Sequence, residues 1–304
     1  MQQLMNSFTI KDLENLSGIK AHTIRIWEQR YTFLKPKRTE TNIRNYNNED
    51  LKVILNVALL NKYGYKISHI NRMTEEEVRD KILALNQLQA QHERIVNDII
   101  HFMVDLNIDA VEVLLDNHIM SRGVEKTIVN IIFPFLERIG ILWLTNHINP
   151  AQEHLITNLI RQKLLVGIER ATSHTDTGKT ALLFLPEGEH HELGLLFVYY
   201  LLRSRGVKVW YLGANVPVKD VEYISELKKP DFLYVHISSA GATFNFEKFM
   251  LQLSIRLQKF PVLISGGLAR MYKKKVPANI YIKRSLQEVT EAFADLNQPT
   301  VKFY

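Results

Sequence analysis

Nine residues, PEGEHHELG (Pro186–Gly194), hold two histidines and three carboxylates between the apolar runs ALLFLP and LLFVYYLL. Polar groups crowded at the end of a buried strand can perform acid–base catalysis, bind a metal or hold a larger ligand, and the residue types alone leave all three open. HHELGL is not a zinc-protease helix, because Leu195 stands where the second histidine is required. SHTDTGKT imitates the end of a phosphate loop, but it lacks the first glycine and precedes the strand. No G-x-G-x-x-G follows the first strand, and zero cysteines remove disulfides, thiolate metal sites and cysteine nucleophiles together.

The frame around these residues is read from the strand–helix alternation that starts at Lys179. TALLFLP, VKVWYLG, DFLYVHIS and PVLISGG read as strands, and ELGLLFVYYLLRSRG, VKDVEYISELKKP, FNFEKFMLQLSIRLQ and SLQEVTEAFADLN as the helices that follow them. Short connections between such elements predict a doubly wound, mainly parallel α/β sheet, whose ligands bind beyond the carboxyl ends of the strands. Those ends hold Glu187–His191, Gly213–Asn215, Ser238–Thr243 and Ser265–Leu268, four segments that read as mostly small or polar, which points to one shared ligand.

Glu189-x-His191-x-x-Gly194, the serine-rich ISSAG and Gly266-Gly267 together resemble the cobalamin-binding domain of methionine synthase and the corrinoid mutases. The resemblance implies a Rossmann-like fold in which His191 is the lower ligand of cobalt and Glu189 polarises its other ring nitrogen, as carboxylates behind metal-bound imidazoles do. His190 is the adjacent alternative. It further implies that Ser238 touches the cofactor and that Gly194, Gly266 and Gly267 admit the nucleotide tail. Glu189 replaces the family's usual Asp, and Ala240 replaces the larger residue of its serine motif.

Between residues 90 and 174 apolar positions recur at helical spacing: Ile95, Ile99, Phe102 and Met103; Val111, Leu114 and Leu115; Ile128, Ile131, Ile132 and Phe135; Leu155, Leu159 and Ile160. Four such stripes predict a four-helix bundle. Trp143 and the pair Glu153-His154 are its conspicuous residues. By type alone a tryptophan belongs in a core and a Glu-His pair at a solvated helix start, and adjacent residues do not share a face as i, i+4 metal ligands would.

The net charge is +6, and residues 1–66 carry 11 Lys/Arg against 6 Asp/Glu, so nearly all the excess lies there. Localised positive charge suits a polyanion. TIKDLENLSGIKAHTIRIWEQRY reads as two helices across a Gly18 turn, with Thr9 capping the first. The basic stretch FLKPKRTETNIRNY follows as a wing with Lys35, Lys37, Arg38 and Arg44, and Asn48 then starts another helix. The stretch GIKAHTIRIWEQRYTFLKPKRTETNIRNYNNEDL resembles the winged-helix domain of MerR-type regulators. That likeness implies promoter DNA as partner, with His22, Thr23 and Arg25 on the recognition helix and Arg38, Asn42, Arg44 and Tyr46 in the wing against the DNA backbone.

The predicted organisation is multidomain: a MerR-like winged helix-turn-helix at 1–76, a connector at 77–89, a four-helix bundle at 90–174 and an α/β cobalamin-binding domain at 178–304. This order resembles the CarH/LitR class of light-responsive repressors over essentially the whole chain, and Trp143 with Glu153-His154 matches the Trp-x9-Glu-His signature of that class. The resemblance implies adenosylcobalamin as cofactor, with the bundle over its upper face, Trp143 covering that face and Glu153 at the adenosyl group. It also implies pseudo-palindromic promoter DNA, a homo-oligomer that is tetrameric in the dark, and competition with RNA polymerase for the promoter. Leu144 stands where the class carries a second, light-state histidine, a place His147 or His154 would have to fill. Two other functions compete: a cobalamin-independent repressor controlled by a protein partner, and a corrinoid-carrying enzyme subunit, against which the DNA-binding module argues. With no signal peptide and no apolar run of spanning length, a cytoplasmic, non-membrane protein is expected.

Overall fold

The computed structural model describes residues 7–144, 149–173, 176–238, 244–294 and 296, with the side chains of 141–144 outside the description. The chain divides into two compact units, Met1–Leu159 and Ile160–Tyr304. No helix among the described residues is long and apolar enough to cross a membrane.

In the first unit α1 (Ile10–Ser17) opens with a capping box, in which Thr9 accepts from the Asp12 amide while the Asp12 carboxylate accepts from Thr9. Gly18 closes it in the left-handed region, at φ 75°. The turn leads to α2 (Ala21–Arg30), which buries Ile24 and Trp27 and exposes His22 and Arg25. Strands β1 (Lys37–Arg38) and β2 (Arg44–Asn45) pair antiparallel, and Phe8 and Tyr46 add a further bridge. Asn42, at φ 63°, turns this hairpin; asparagine tolerates that region better than other side chains. Helix α3 (Asn48–Lys62) starts at a second capping box, Asn47 with Asp50. A short α4 (Ile67–Ile70) and α5 (Glu75–Leu83) follow, so the segment read as a connector contains most of a helix, with Ile82 and Leu85 buried.

The four helical stretches read from the sequence are present. They are α6 (Leu88–Val104), α7 (Ile108–Arg122), a composite of α8 (Val124–Thr127), a π-helical turn (Ile128–Ile132) and α9 (Phe133–Leu144), and α10 (Pro150–Arg170). Pro134 has no N–H for the Asn130 carbonyl, and the π turn lies directly before that break in the ladder. Ile99, Met103, Val111, Leu115, Ile131 and Phe135 are buried as expected. Leu155 is exposed instead, and Ile156 is the buried residue beside it.

The second unit is a five-stranded parallel sheet in the order β4-β3-β5-β6-β7, built from β3 (Thr180–Pro186), β4 (Lys208–Val216), β5 (Phe232–His236), β6 (Val262–Ser265) and β7 (Ile280–Ile282). The order reverses at β3, so the carboxyl ends of β3 and β5 flank the switch point where such sheets bind ligands. Both faces are buried: α12 (Val218–Lys228) and α13 (Phe246–Arg256) cover one, with Val221, Met250 and Leu253 in the core. On the other, Leu195, Val198 and Leu202 of α11 (Leu193–Ser204) and Val289 of α14 (Leu286–Ala292) join the core. The doubly wound sheet matches the sequence reading, and β7 is the strand it omitted. Three residues, IYI, give too short a run to register as periodicity.

Candidate functional site

Strand β3 delivers the histidine-rich stretch to the switch point. Pro186 ends the strand, Gly188 turns at φ 81°, and the Glu189 amide donates to the Pro186 carbonyl at 3.0 Å. The loop is tied to the end of β4, where Asn215 accepts from the Gly188 amide at 3.0 Å and donates its own amide to the Glu189 carbonyl at 3.2 Å.

Glu189 has no solvent exposure, and its carboxylate organises the site. Oε1 accepts the backbone N–H groups of His190 and His191, each at 3.0 Å, and lies 2.6 Å from Nδ1 of His191. Oε2 accepts the backbone N–H of Ser238 at 2.9 Å, so one side chain joins the loop after β3 to the loop after β5. With Nδ1–H given to Glu189, the lone pair of the His191 imidazole is on Nε2, the nitrogen suited to a metal. The His191 side chain is 56% exposed while its carboxylate partner is wholly buried. An oriented imidazole on a rigid acceptor can ligate a transition metal from the protein side. His190 contributes its backbone N–H to Glu189, and its side chain is exposed. No group of three or more metal-ligating side chains occurs among the described residues.

The three glycines lie against the protein's own atoms. A Cβ on Gly194 would come within 2.3 Å of the His236 ring, one on Gly266 within 2.3 Å of the Ile237 carbonyl oxygen, and one on Gly267 within 2.5 Å of the Ser238 carbonyl oxygen. Gly266 and Gly267 therefore let the chain ends after β5 and β6 close together, and Gly194 lets the start of the following helix approach the end of β5, roles the sequence reading did not give them. Residues 239–243, the rest of the serine-rich motif, lie outside the described residues.

His236 itself escaped the sequence reading. Its Nδ1 lies 2.9 Å from Ser265 Oγ, which also bonds the Tyr234 hydroxyl. Burial lowers its pKa to about 4, with Glu189 opposing and His191 reinforcing the shift. The signal was available: His236 and Ser265 are polar residues ending adjacent strands, and they are register partners. Nearby, Glu192 accepts from Tyr211 at 2.9 Å and pairs with Arg161 at 3.1 Å.

Of the bundle residues, Trp143 is near the end of α9, with its side chain outside the described residues. Glu153 and His154 are in the first turns of α10, His154 Nδ1 lying 3.2 Å from Glu153 Oε2. In the winged helix, His22 and Arg25 are exposed on α2 with Thr23 partly so, and Arg38 is exposed on β1, donating to Asn42 at 2.7 Å. Tyr46 requires a correction: it is fully buried, and its hydroxyl bonds Glu28, so it is a core residue and does not lie against DNA. Arg44 is likewise engaged, its Nε 2.7 Å from Glu28 Oε2. Glu28 carried no motif in the sequence and was missed.

Residues 8–77 match the model of the MerR HTH family regulatory proteins, and residues 92–166 match that of a B12 binding domain. The chain is 30% identical over 270 residues to the HTH-type transcriptional repressor CarA of Myxococcus xanthus, covering 88% of this chain and 89% of that protein. It is 27% identical over 291 residues to the HTH-type transcriptional repressor CarH of the same organism, covering 88% and 91%. The fold resembles that of the Methanosarcina barkeri monomethylamine corrinoid protein, with a TM-score of 0.52 at 16% identity over 66% of this chain and 97% of that one. An exposed helix-turn-helix face and a strand-end histidine clasp thus occur in a chain whose curated relatives are repressors and not enzymes, and the protein belongs to the CarA/CarH family of HTH-type transcriptional repressors.

Proposed function

We propose that this repressor binds adenosylcobalamin and releases promoter DNA in response to light. The observation that carries the reading is the Glu189–His191 pair at the sheet's switch point: a buried carboxylate that holds one imidazole nitrogen and so sets the tautomer and orientation of the ring. These residues fit the lower side of a corrinoid, with Ser238 and the Gly266-Gly267 turn forming the neighbouring loops. Family resemblance assigns Trp143 to the adenosyl face and Glu153 to the adenosyl group, with His154 beside Glu153 in the same signature. When bound, adenosylcobalamin supplies a light-labile cobalt–carbon bond. Residues holding the adenosyl group bias the protein toward one conformation, and without that group the bias is lost. The exposed α2 face, with His22, Thr23 and Arg25, would read a pseudo-palindromic operator as part of a homo-oligomer, tetrameric in the dark, that excludes RNA polymerase. A cytoplasmic location follows from such a role.

A second reading, a cobalamin-independent repressor controlled by a protein partner, is favoured by His236, whose ring fills the space beside Gly194 that the nucleotide tail was expected to use. One experiment separates the two. Protein mixed with adenosylcobalamin in darkness is passed over a sizing column, and its visible spectrum, size and promoter affinity are recorded before and after green light. Co-elution of pigment with a light-dependent loss of size and affinity supports the photoreceptor. Protein that elutes colourless but still binds its promoter supports the second reading. Pigment that binds without any response to light removes the sensor while leaving the cofactor.

A further inference from the structure

The Glu28 carboxylate is the one acidic group on α2, the helix whose exposed face carries His22 and Arg25, and an unpaired acid there would repel a phosphate backbone. It is instead almost buried, with 9% of its side chain exposed, and both oxygens are used. Oε2 takes Arg44 Nε at 2.7 Å, and Oε1 takes the Tyr46 hydroxyl. Arg44 and Tyr46 are two residues apart on an extended strand and so present the same face to α2. The strand is held on both edges as well, by β1 through Arg38 and Arg44 and by Phe8, whose amide and carbonyl bond Tyr46 at 2.9 and 3.0 Å. Burial and then Glu28 raise the Tyr46 pKa, as a phenol that donates to a buried carboxylate requires.

We infer that Glu28 is a positioning residue that braces the wing against the recognition helix, and that Arg44 is the strut it grips and not a phosphate contact. The inference rests on the DNA-binding reading of this module and goes beyond it by dividing the wing's basic residues into two classes. Arg44 would have to abandon a buried carboxylate to reach a phosphate, whereas Lys35, Lys37 and Arg38 are exposed and have no such tie. The brace fixes the distance between the helix that enters the groove and the hairpin beside it, so its loss should cost affinity without removing an ionic contact.

The test is the salt dependence of binding to a mixed-sequence duplex of about thirty base pairs, measured with the full chain. A lost phosphate contact lowers the slope of log K against log salt by roughly 0.9. Arg38→Ala should do so. Glu28→Gln and Arg44→Ala should each weaken binding about ten-fold, the scale of one charged hydrogen bond, with the slope unchanged. A slope lowered by roughly 0.9 in Arg44→Ala, with Glu28→Gln neutral, would overturn the assignment and make Arg44 a phosphate ligand. Amide hydrogen exchange on the protein without DNA gives a second readout: Glu28→Gln should accelerate exchange at Ile43 and Tyr46 and leave the parallel sheet unaffected. Unaltered exchange at those amides overturns the brace. If the native protein fails to bind any duplex, the DNA-binding reading falls, while the exchange result still judges the brace.

Discussion

His191 Nδ1 lies 2.6 Å from Oε1 of a glutamate, Glu189, whose other oxygen is bonded to the amide of Ser238, 49 residues further along the chain. The imidazole is thus oriented by a group that is itself immobilised by two strands' loops, and it cannot rotate without breaking that bond. Such pre-orientation is what a single protein ligand needs if it is to select one geometry at a metal.

Removing either member should therefore weaken corrinoid binding to different degrees. His191→Ala removes the proposed ligand, and the visible spectrum of any bound cobalamin should shift to that of the form without a histidine ligand. Glu189→Gln keeps the shape but weakens the hold on Nδ1, and a loss of about 10–100-fold in affinity is expected from other outer-shell partners. Spectral titration with adenosylcobalamin measures both. Equal affinity and identical spectra for native protein and His191→Ala would remove the lower-ligand assignment.

Gly194 and His236 should behave as one packed unit. Gly194→Ala places a methyl group 2.3 Å from the His236 ring, and overpacking of this kind costs about 1–3 kcal/mol. His236→Ala in the same chain should return most of that loss, because it removes the atoms that are struck. A double-mutant cycle in urea measures the coupling. Additive losses would mean that Gly194 is constrained by something other than His236. Gly266→Ala should not be rescued in this way, since its obstacle is the Ile237 backbone and its φ is 104°.

These contacts show what was legible in the chain before it was folded. The parallel sheet could be read because β3, β5 and β6 are continuous apolar runs buried on both faces, and the ligand end followed from the polar residues that close each run. His191 and Glu189 could be singled out because the Glu-x-His-x-x-Gly motif carries the family resemblance, and its members can meet locally on a tight loop. Glu28 with Tyr46 and Gly194 with His236 could not, because their partners are 18 and 42 positions away and only tertiary closure brings them together. Tyr46 was misread for the same reason: in a basic stretch a tyrosine looks like a DNA contact, and nothing local reports that its ring is in the core.

Arg25 offers a contrast with the wing. It is exposed on the face of α2 opposite the buried Ile24 and Trp27. A side chain in that place, if it reads a base edge, contributes discrimination of about 1–3 kcal/mol at one position. Arg25→Ala should therefore relax preference at a single base pair of the operator, in a selection from randomised duplexes, while other positions keep theirs. Uniform weakening at every position would reassign Arg25 to the phosphates.

Asp98 on α6 gives a pH dependence with a definite sign. Burial raises its pKa from 3.8 to about 6, against the opposing pull of Arg94 and Lys52. The native state then binds more protons than the unfolded chain between those two values, so stability is greatest below pH 3.8 from this group's standpoint and is lost as pH rises through about 6. The loss at neutral pH is on the order of 2 kcal/mol once partial solvent exposure is allowed for. Asp98→Asn removes the charge without changing the shape. It should stabilise the protein against urea at pH 7 and leave stability nearly unchanged at pH 4, where the native carboxyl is already protonated. A gain of the same size at both pH values would show that packing, and not the buried charge, distinguishes the two side chains.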